Sequence, residues 1–252
     1  MYSLKEDCLG IRKKVPLVLN LTNYVAMNFT ANALLAVGAS PLMSLCREEM
    51  EDLVALCDAL VINIGCIDLF QKEAMLKAAG KAADSGKPWV LDPVGAGASR
   101  LRQEVSRELS LLHPSVIRGN ASEIMTLSGQ QAPSRGVDSG LESTDAQQCA
   151  VSLASRCGCV VSMSGAVDCI TDGLRQEQIF AGSPLMSRVT AMGCAASALT
   201  GAFVAVVPDP FRAACSAMRL CAEAGEKAAA QSCGLTGTMA VKFIDNLCGY
   251  EE

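Results

Sequence analysis

Three short segments carry residues whose types and spacing suit phosphate and a divalent cation. The first, Leu91-Asp92-Pro93-Val94-Gly95, sets a carboxylate directly before proline and glycine. If a strand ends there, Asp92 projects toward bound metal, although the same aspartate would equally cap a turn. In the second, Arg118-Gly119-Asn120-Ala121-Ser122-Glu123, an apolar run passes through glycine into a helix beginning near Ala121. Arg118 would neutralise phosphate there, and Glu123 would hold magnesium directly or through water. The competing explanation is an N-capped helix with an acid in its first turn. The third, Ala191-Met192-Gly193-Cys194-Ala195-Ala196-Ser197, opens a helix made almost wholly of small residues. Helix-start amides attract anions, and small side chains let the backbone approach a phosphate. The same position is expected to lower the thiol pKa of Cys194 and make it a proton acceptor, the alternative being a buried, inert cysteine.

Other routes to phosphate or nucleophilic chemistry fail. A P-loop would need different glycine spacing over residues 80–87, and Pro88 stands where Ser or Thr is required. Gly95-Ala96-Gly97 follows an apolar run, but Arg100 replaces the third glycine of a dinucleotide fingerprint. His113 is the only histidine and precedes Pro114, which argues against a histidine-rich metal site and a Ser-His-Asp triad. The thirteen cysteines include no Cys-x-x-Cys pair, so reduced core thiols are expected.

These segments must be positioned by a sheet. Apolar runs at 15–21, 59–64, 88–94, 116–118 and 159–163 alternate with helix-compatible stretches, which predicts a mostly parallel sheet covered by helices. Helices are expected over 28–37, closed by Gly38, and over 48–59 and 69–85. Thr144 with Gln147 reads as a capping box that starts a helix through about Arg156, leaving 129–143 as a loop. Asp172-Gly173 within 169–180 signals a hairpin that adds antiparallel strands. Residues 193–206, 211–231 and 238–247 then turn helical. In such a sheet ligands gather at the carboxyl ends of the strands, where all three chemical segments fall.

Composition narrows the partners. Half of the 252 residues are hydrophobic but only 4% are aromatic, so Ala, Val, Leu, Ile, Met and Cys must build the core of one large α/β domain, without a linker or repeat to divide it. A net charge of -5 and few aromatics disfavour nucleic acid and anionic membrane as partners. No run is apolar for long enough to cross a bilayer, and residues 1–14 carry charges where a signal peptide would be apolar, so a cytoplasmic location is expected.

Taken together, these residues resemble the hydroxyethylthiazole kinase family of the ribokinase-like fold, from Pro16 to about Leu247. The most specific portion is Leu21-Thr22-Asn23-Tyr24-Val25-Ala26-Met27-Asn28-Phe29-Thr30-Ala31-Asn32 with Gly38-Ala39-Ser40-Pro41-Leu42-Met43; Asn120-Ala121-Ser122-Glu123 belongs to the broader ribokinase-like pattern. The resemblance implies a three-layer α/β/α domain that phosphorylates a small thiazole alcohol with ATP and magnesium. It implies that Asn23, Val25 and Met43 border the thiazole, with Gly65 and Ala191 at the same pocket. It puts Arg118 and Ser164 at ATP, Asn120 and Gly193 among the phosphate contacts, and Asp92 and Glu123 around magnesium. Cys194 stands where related sugar kinases have aspartate, and the family typically forms homotrimers with sites at subunit boundaries. Three departures mark this chain: Ala191-Met192-Gly193 replaces Gly-Thr-Gly, Cys66 replaces Thr, and Leu19-Asn20 replaces His-Cys. They leave open a kinase of another small alcohol, such as a pyrimidine or sugar, or a catalytically weakened thiazole- or nucleotide-binding protein. Ala191 fits without strain only if its φ is negative.

Overall fold

The computed structural model describes residues 3–130 and 140–249. The strands are β1 (Leu17–Leu21), β2 (Ser40–Met43), β3 (Ala59–Asn63), β4 (Trp89–Asp92), β5 (Val116–Asn120), β6 (Val160–Ser164), β7 (Asp168–Thr171) and β8 (Gln176–Ile179). They form one sheet in the order β2-β1-β3-β4-β5-β6-β7-β8. Pairing is parallel from β2 through β6, and β7 and β8 are added antiparallel. The Asp172-Gly173 hairpin forms as expected, with the Asp172 carboxylate accepting the amides of Leu174 and Arg175.

Ten helices cover the sheet among the described residues: α1 (Leu4–Lys14), α2 (Met27–Val37), α3 (Met50–Leu56), α4 (Leu69–Asp84), α5 (Arg100–Ser110), α6 (Ala121–Ser128), α7 (Gly140–Cys157), α8 (Met192–Val204), α9 (Pro210–Gln231) and α10 (Thr236–Cys248). Alternation along the strands splits the core in two. Val18, Val61, Val90 and Val116 face one cluster with α1, α2, α8, α9 and α10, whereas Leu19, Ile62, Leu91 and Ile117 face the other with α3 to α7. This is the three-layer α/β/α arrangement implied by the sequence. No helix among the described residues is long and apolar enough to cross a membrane, and all thirteen cysteines are free.

Two local readings need correction. The helix expected over 48–59 begins as a 3-10 turn at Arg47–Glu49 and ends at Leu56, since Ala59 already pairs in β3. Helix α7 starts at Gly140, so Thr144 lies inside it and cannot cap its start; the expected loop at 129–143 ends earlier, and its residues 131–139 fall outside the described residues. The departure at Leu19-Asn20 lies within β1, where both side chains are fully buried.

The small-residue composition of α8 has a packing cause. A Cβ on Gly201 would run into Val61 and lie 3.1 Å from Val18 Cγ1, so only glycine lets this helix press directly on β1 and β3. That close seat carries the start of α8 to the carboxyl ends of β3 and β4.

Candidate active site

The carboxyl ends of β3, β4 and β5 meet the start of α8 around one side-chain network. Asn63 and Asp92 end adjacent strands in register with each other. Asn63 Nδ2 donates to Asp92 Oδ2 at 2.7 Å and to Cys194 Sγ at 3.2 Å. Its Oδ1 accepts from Asn23 Nδ2 and from the Gly65 amide, each at 2.9 Å. Asn23 also donates to Cys194 Sγ at 3.5 Å, and its Oδ1 accepts the Ala26 amide at 3.0 Å. Ser197, one turn into α8, donates to Asp92 Oδ2 at 2.7 Å. Every polar atom of Asn63 is therefore engaged, which is what a buried amide needs if it is to fix its neighbours rather than destabilise the site. Sequence reasoning missed Asn63, Ser197 and Arg102. The guanidinium of Arg102, on α5, bonds the carbonyls of Ile64, Gly65 and Val94, tying together the loops after β3 and β4.

Burial governs the ionisation here. Burial first and the nearby Asp92 carboxylate second together push the Cys194 thiol up to about 11, against weaker opposing effects of Asn23, Asn63 and Arg118. The expected lowering at a helix start is overturned, because desolvation and a neighbouring negative charge outweigh the helix terminus. Asp92 is itself driven up to about 7, first by burial and then by the charge of Glu123, while Arg118 pulls it down.

At the next strand, Arg118 is 8% exposed and its Nε has no hydrogen-bond partner among the described residues. A Cβ on Gly193 would lie 2.7 Å from Arg118 Nη1, so the guanidinium rests directly against the start of α8. Glu123 Oε2 accepts the Asn120 amide and Oε1 the Gly95 amide, each at 2.8 Å. The capping reading holds, with Asn120 and Glu123 forming a complete capping box, and Glu123 also lines the cavity described below. The start of α8 differs, with Ala191 at φ 64° and no side-chain cap. That is the left-handed conformation in which alanine is strained.

Asp92, Arg118, Asn120, Glu123, Ser164, Ala191, Gly193 and Cys194 all line a single cavity of about 930 Å³. Asn23 and Gly65 reach its thiol end through the bonds above, and a Cβ on Gly65 would lie 2.5 Å from Asn23 Nδ2. Val25 and Met43 do not line it: Val25 is 63% exposed after β1, and Met43 ends the edge strand β2. Among the described residues no three His, Cys, Asp or Glu side chains gather around one point as metal ligands. Two carboxylates, Asp92 and Glu123, facing one cavity nevertheless suit a hard cation that keeps most of its waters.

Comparison with known proteins gives the family. Residues 9–251 match the model of the hydroxyethylthiazole kinase family. The chain is 49% identical to the hydroxyethylthiazole kinase of Leptospira biflexa, over 96% of this chain and 91% of that one. Its structure is similar to that of the hydroxyethylthiazole kinase protein from Pyrococcus horikoshii, with a TM-score of 0.90 at 41% identity over 97% of this chain and 92% of the other. The pyridoxal kinase from Staphylococcus aureus in complex with AMP-PCP and pyridoxal shares the fold alone, with a TM-score of 0.64 at 18% identity over 84% and 88% of the two chains.

Proposed function

Because this chain belongs to the hydroxyethylthiazole kinase family, we propose that it transfers the γ-phosphoryl group of ATP to the hydroxyl of 4-methyl-5-(2-hydroxyethyl)thiazole, making the phosphate used in thiamine biosynthesis or salvage. The observation that carries this reading is the convergence of Arg118, Glu123, Asp92, Gly193 and Cys194, from four separate elements, on one cavity. Arg118 and the amides of residues 191–194 meet the charge on the transferred group. Asp92 and Glu123 would hold magnesium directly or through water, and the cation would supply charge that offsets the phosphates. Ser164 and Asn120 flank the nucleotide's phosphates.

A thiol pushed up to about 11 stays protonated near neutral pH, so Cys194 is a poor base. Its role is to orient: Asn23 and Asn63 both donate to Sγ, which leaves the S–H free to meet the substrate hydroxyl. Phosphoryl transfer through a loose transition state asks for little deprotonation before attack, so the hydroxyl proton can leave on the transferred group's own oxygen. Asn23 and Gly65 border the thiazole. Val25 and Met43 join them from a neighbouring copy in a homotrimer, a reading supported by Tyr24, Val25, Leu69 and Phe70, all exposed after the adjacent strands β1 and β3. A cytoplasmic location suits thirteen free thiols.

Purified protein with ATP, magnesium and the thiazole alcohol is expected to release thiazole phosphate, detectable by mass spectrometry. Folded protein that makes none would overturn the reading. Cys194→Ala should lower kcat by about tenfold to a hundredfold, the scale of a lost orienting contact, with a smaller change in KM for the thiazole. Unchanged kcat would remove Cys194 from the reaction. The strained Ala191 favours one second reading, a weakened kinase that binds both ligands in a thermal-shift assay yet forms no product.

A further inference from the structure

The cavity has two ends of opposite chemistry. Its charged end is built by β4, β5 and the start of α8, as described above. Its other end lies past β8, where Phe180 follows the last strand directly. Phe180 is 76% exposed and yet lines the cavity. Among the described residues no ring stacks on it and no cation sits over it; the ring pair is Phe29 with Phe243, and the cation contact is Arg175 on Phe211. A large apolar ring left open to water beside a concave site has a face available to a ligand.

Its surroundings are apolar and offer little to read a ligand's edge. Ala181, Met186, Met218 and Ala222 line the same cavity. Met186 is seated against α9, because its side chain occupies the space a Cβ on Gly225 would need. Ser183 Oγ accepts the Leu185 amide at 3.3 Å, Ser187 Oγ donates to the Pro184 carbonyl at 2.8 Å, and Asp168, opposite Ile179, accepts the Gly165 amide at 3.0 Å; Thr190, also on the lining, is exposed.

The sheet itself gives the distance between the ends. Asn120 pairs with Ser164, Met163 with Cys169, and Asp168 with Ile179. From β5 to β8 is three inter-strand steps, or about 14 Å at about 4.8 Å each. That is the scale of a triphosphate and its ribose, so phosphates held between Arg118 and α8 bring the base to Phe180.

We propose that Phe180 is the stacking platform for the nucleobase of the phosphoryl donor, and that the site accepts purine and pyrimidine nucleoside triphosphates with little discrimination. Stacking tolerates any base, because every base has a π face. Strong selection instead needs buried polar groups that a wrong base would leave unpaired, and the polar side chains on this part of the lining, Asp168, Ser183, Ser187 and Thr190, are half-buried or exposed. The proposal rests on the nucleotide-dependent reading of the site and adds where the base lies and what chooses it.

Titration calorimetry without the thiazole alcohol tests it, using magnesium with ATP, GTP, CTP, UTP and inorganic tripolyphosphate. For the unaltered protein, the four nucleotide Kd values are expected within about tenfold of one another. Phe180→Ala should weaken each nucleotide about tenfold and leave tripolyphosphate, which has no base, unchanged; Phe180→Trp should restore binding. Removing an exposed side chain leaves the fold intact, and the tripolyphosphate titration verifies that in the same samples. The proposal is overturned if Phe180→Ala shifts the Kd for ATP less than twofold, if tripolyphosphate weakens equally, or if ATP binds more than about a hundredfold tighter than the other three. A protein that binds nucleotides through Phe180 but makes no thiazole phosphate would overturn the activity and not the base site.

Discussion

Two helices start on the same cavity, and they treat their free amides in opposite ways. At α6, Asn120 Oδ1 accepts the Glu123 amide at 3.0 Å while Glu123 Oε2 accepts the Asn120 amide at 2.8 Å. At α8, no side chain caps the first turn, and Ala191 holds a left-handed φ of 64°. The third residue of each helix carries its chemistry: Glu123 folds back on its own cap, whereas Cys194 turns away to Asn23 and Asn63. The contrast teaches that a helix start becomes an anion site only when local side chains leave it unsatisfied. The amides of Asn120 and Glu123 serve the fold, and those at the start of α8 carry no side-chain cap, which suits them to the phosphate of the proposed reaction. Arg118 lies against the second of these, not the first.

The sharpest way to break the contrast is to alter the second residue of each helix. Gly193→Ala would set a Cβ 2.7 Å from Arg118 Nη1 and drive the guanidinium off the start of α8. We expect kcat/KM for ATP to fall about a hundredfold, the scale of losing one preorganised charge-stabilising group. Ser122→Ala, at the matching and exposed position of α6, should change it less than twofold. Equal losses would mean that both starts hold phosphate, and no loss in Gly193→Ala would remove α8 from the site.

Asp92, between the two starts, supplies a prediction of intermediate size. Its carboxyl is raised in the folded protein from 3.8 to about 7, so folding favours the protonated form. The stabilisation is fully present below the unfolded value near 4, and is lost as pH rises through about 7. Metal-free protein should therefore lose several degrees of Tm between pH 5 and pH 8, and Asp92→Asn should flatten that slope. Asp168, also raised by burial, contributes in the same direction and persists in the variant. Magnesium should stabilise the unaltered protein more at pH 8 than at pH 5. A slope unchanged by Asp92→Asn would show that the buried carboxyl is ionised throughout.

Much of this arrangement was legible in the sequence because apolar runs ending in Asp92 or passing through Arg118 mark both strands and their chemical ends. The hairpin at Asp172-Gly173 and the helix closed by Gly38 follow equally local signals. What escaped was whatever depended on neighbours distant in the chain. Asn63 belongs to no motif, and only the β3–β4 register sets it beside Asp92. The parity was nevertheless available, since both residues end runs that are otherwise apolar, Leu-Val-Ile before Asn63 and Trp-Val-Leu before Asp92. The edge strand β2 is four half-buried residues with no alternation to announce it. The thiol of Cys194 was misjudged for the same reason: a helix start is visible in sequence, but burial and a carboxylate from another strand are not.

The smallest effects test the comparison through stability alone. Asn120→Ala removes a side chain that caps α6 and should cost about 1 kcal/mol, lowering Tm by about 2–4 °C. Ala191→Gly acts on the other helix with the opposite sign. Left-handed backbone costs a non-glycine residue roughly 1–2 kcal/mol, and glycine's extra unfolded-state freedom returns about 0.5–1 kcal/mol of that. The net gain is therefore roughly 0.5–1 kcal/mol, or about 2 °C in Tm for a chain of this size. A scanning-calorimetry comparison of the two variants reads both signs directly. If Ala191→Gly lowered Tm instead, the left-handed residue would not be under strain, and the start of α8 would be as settled as that of α6.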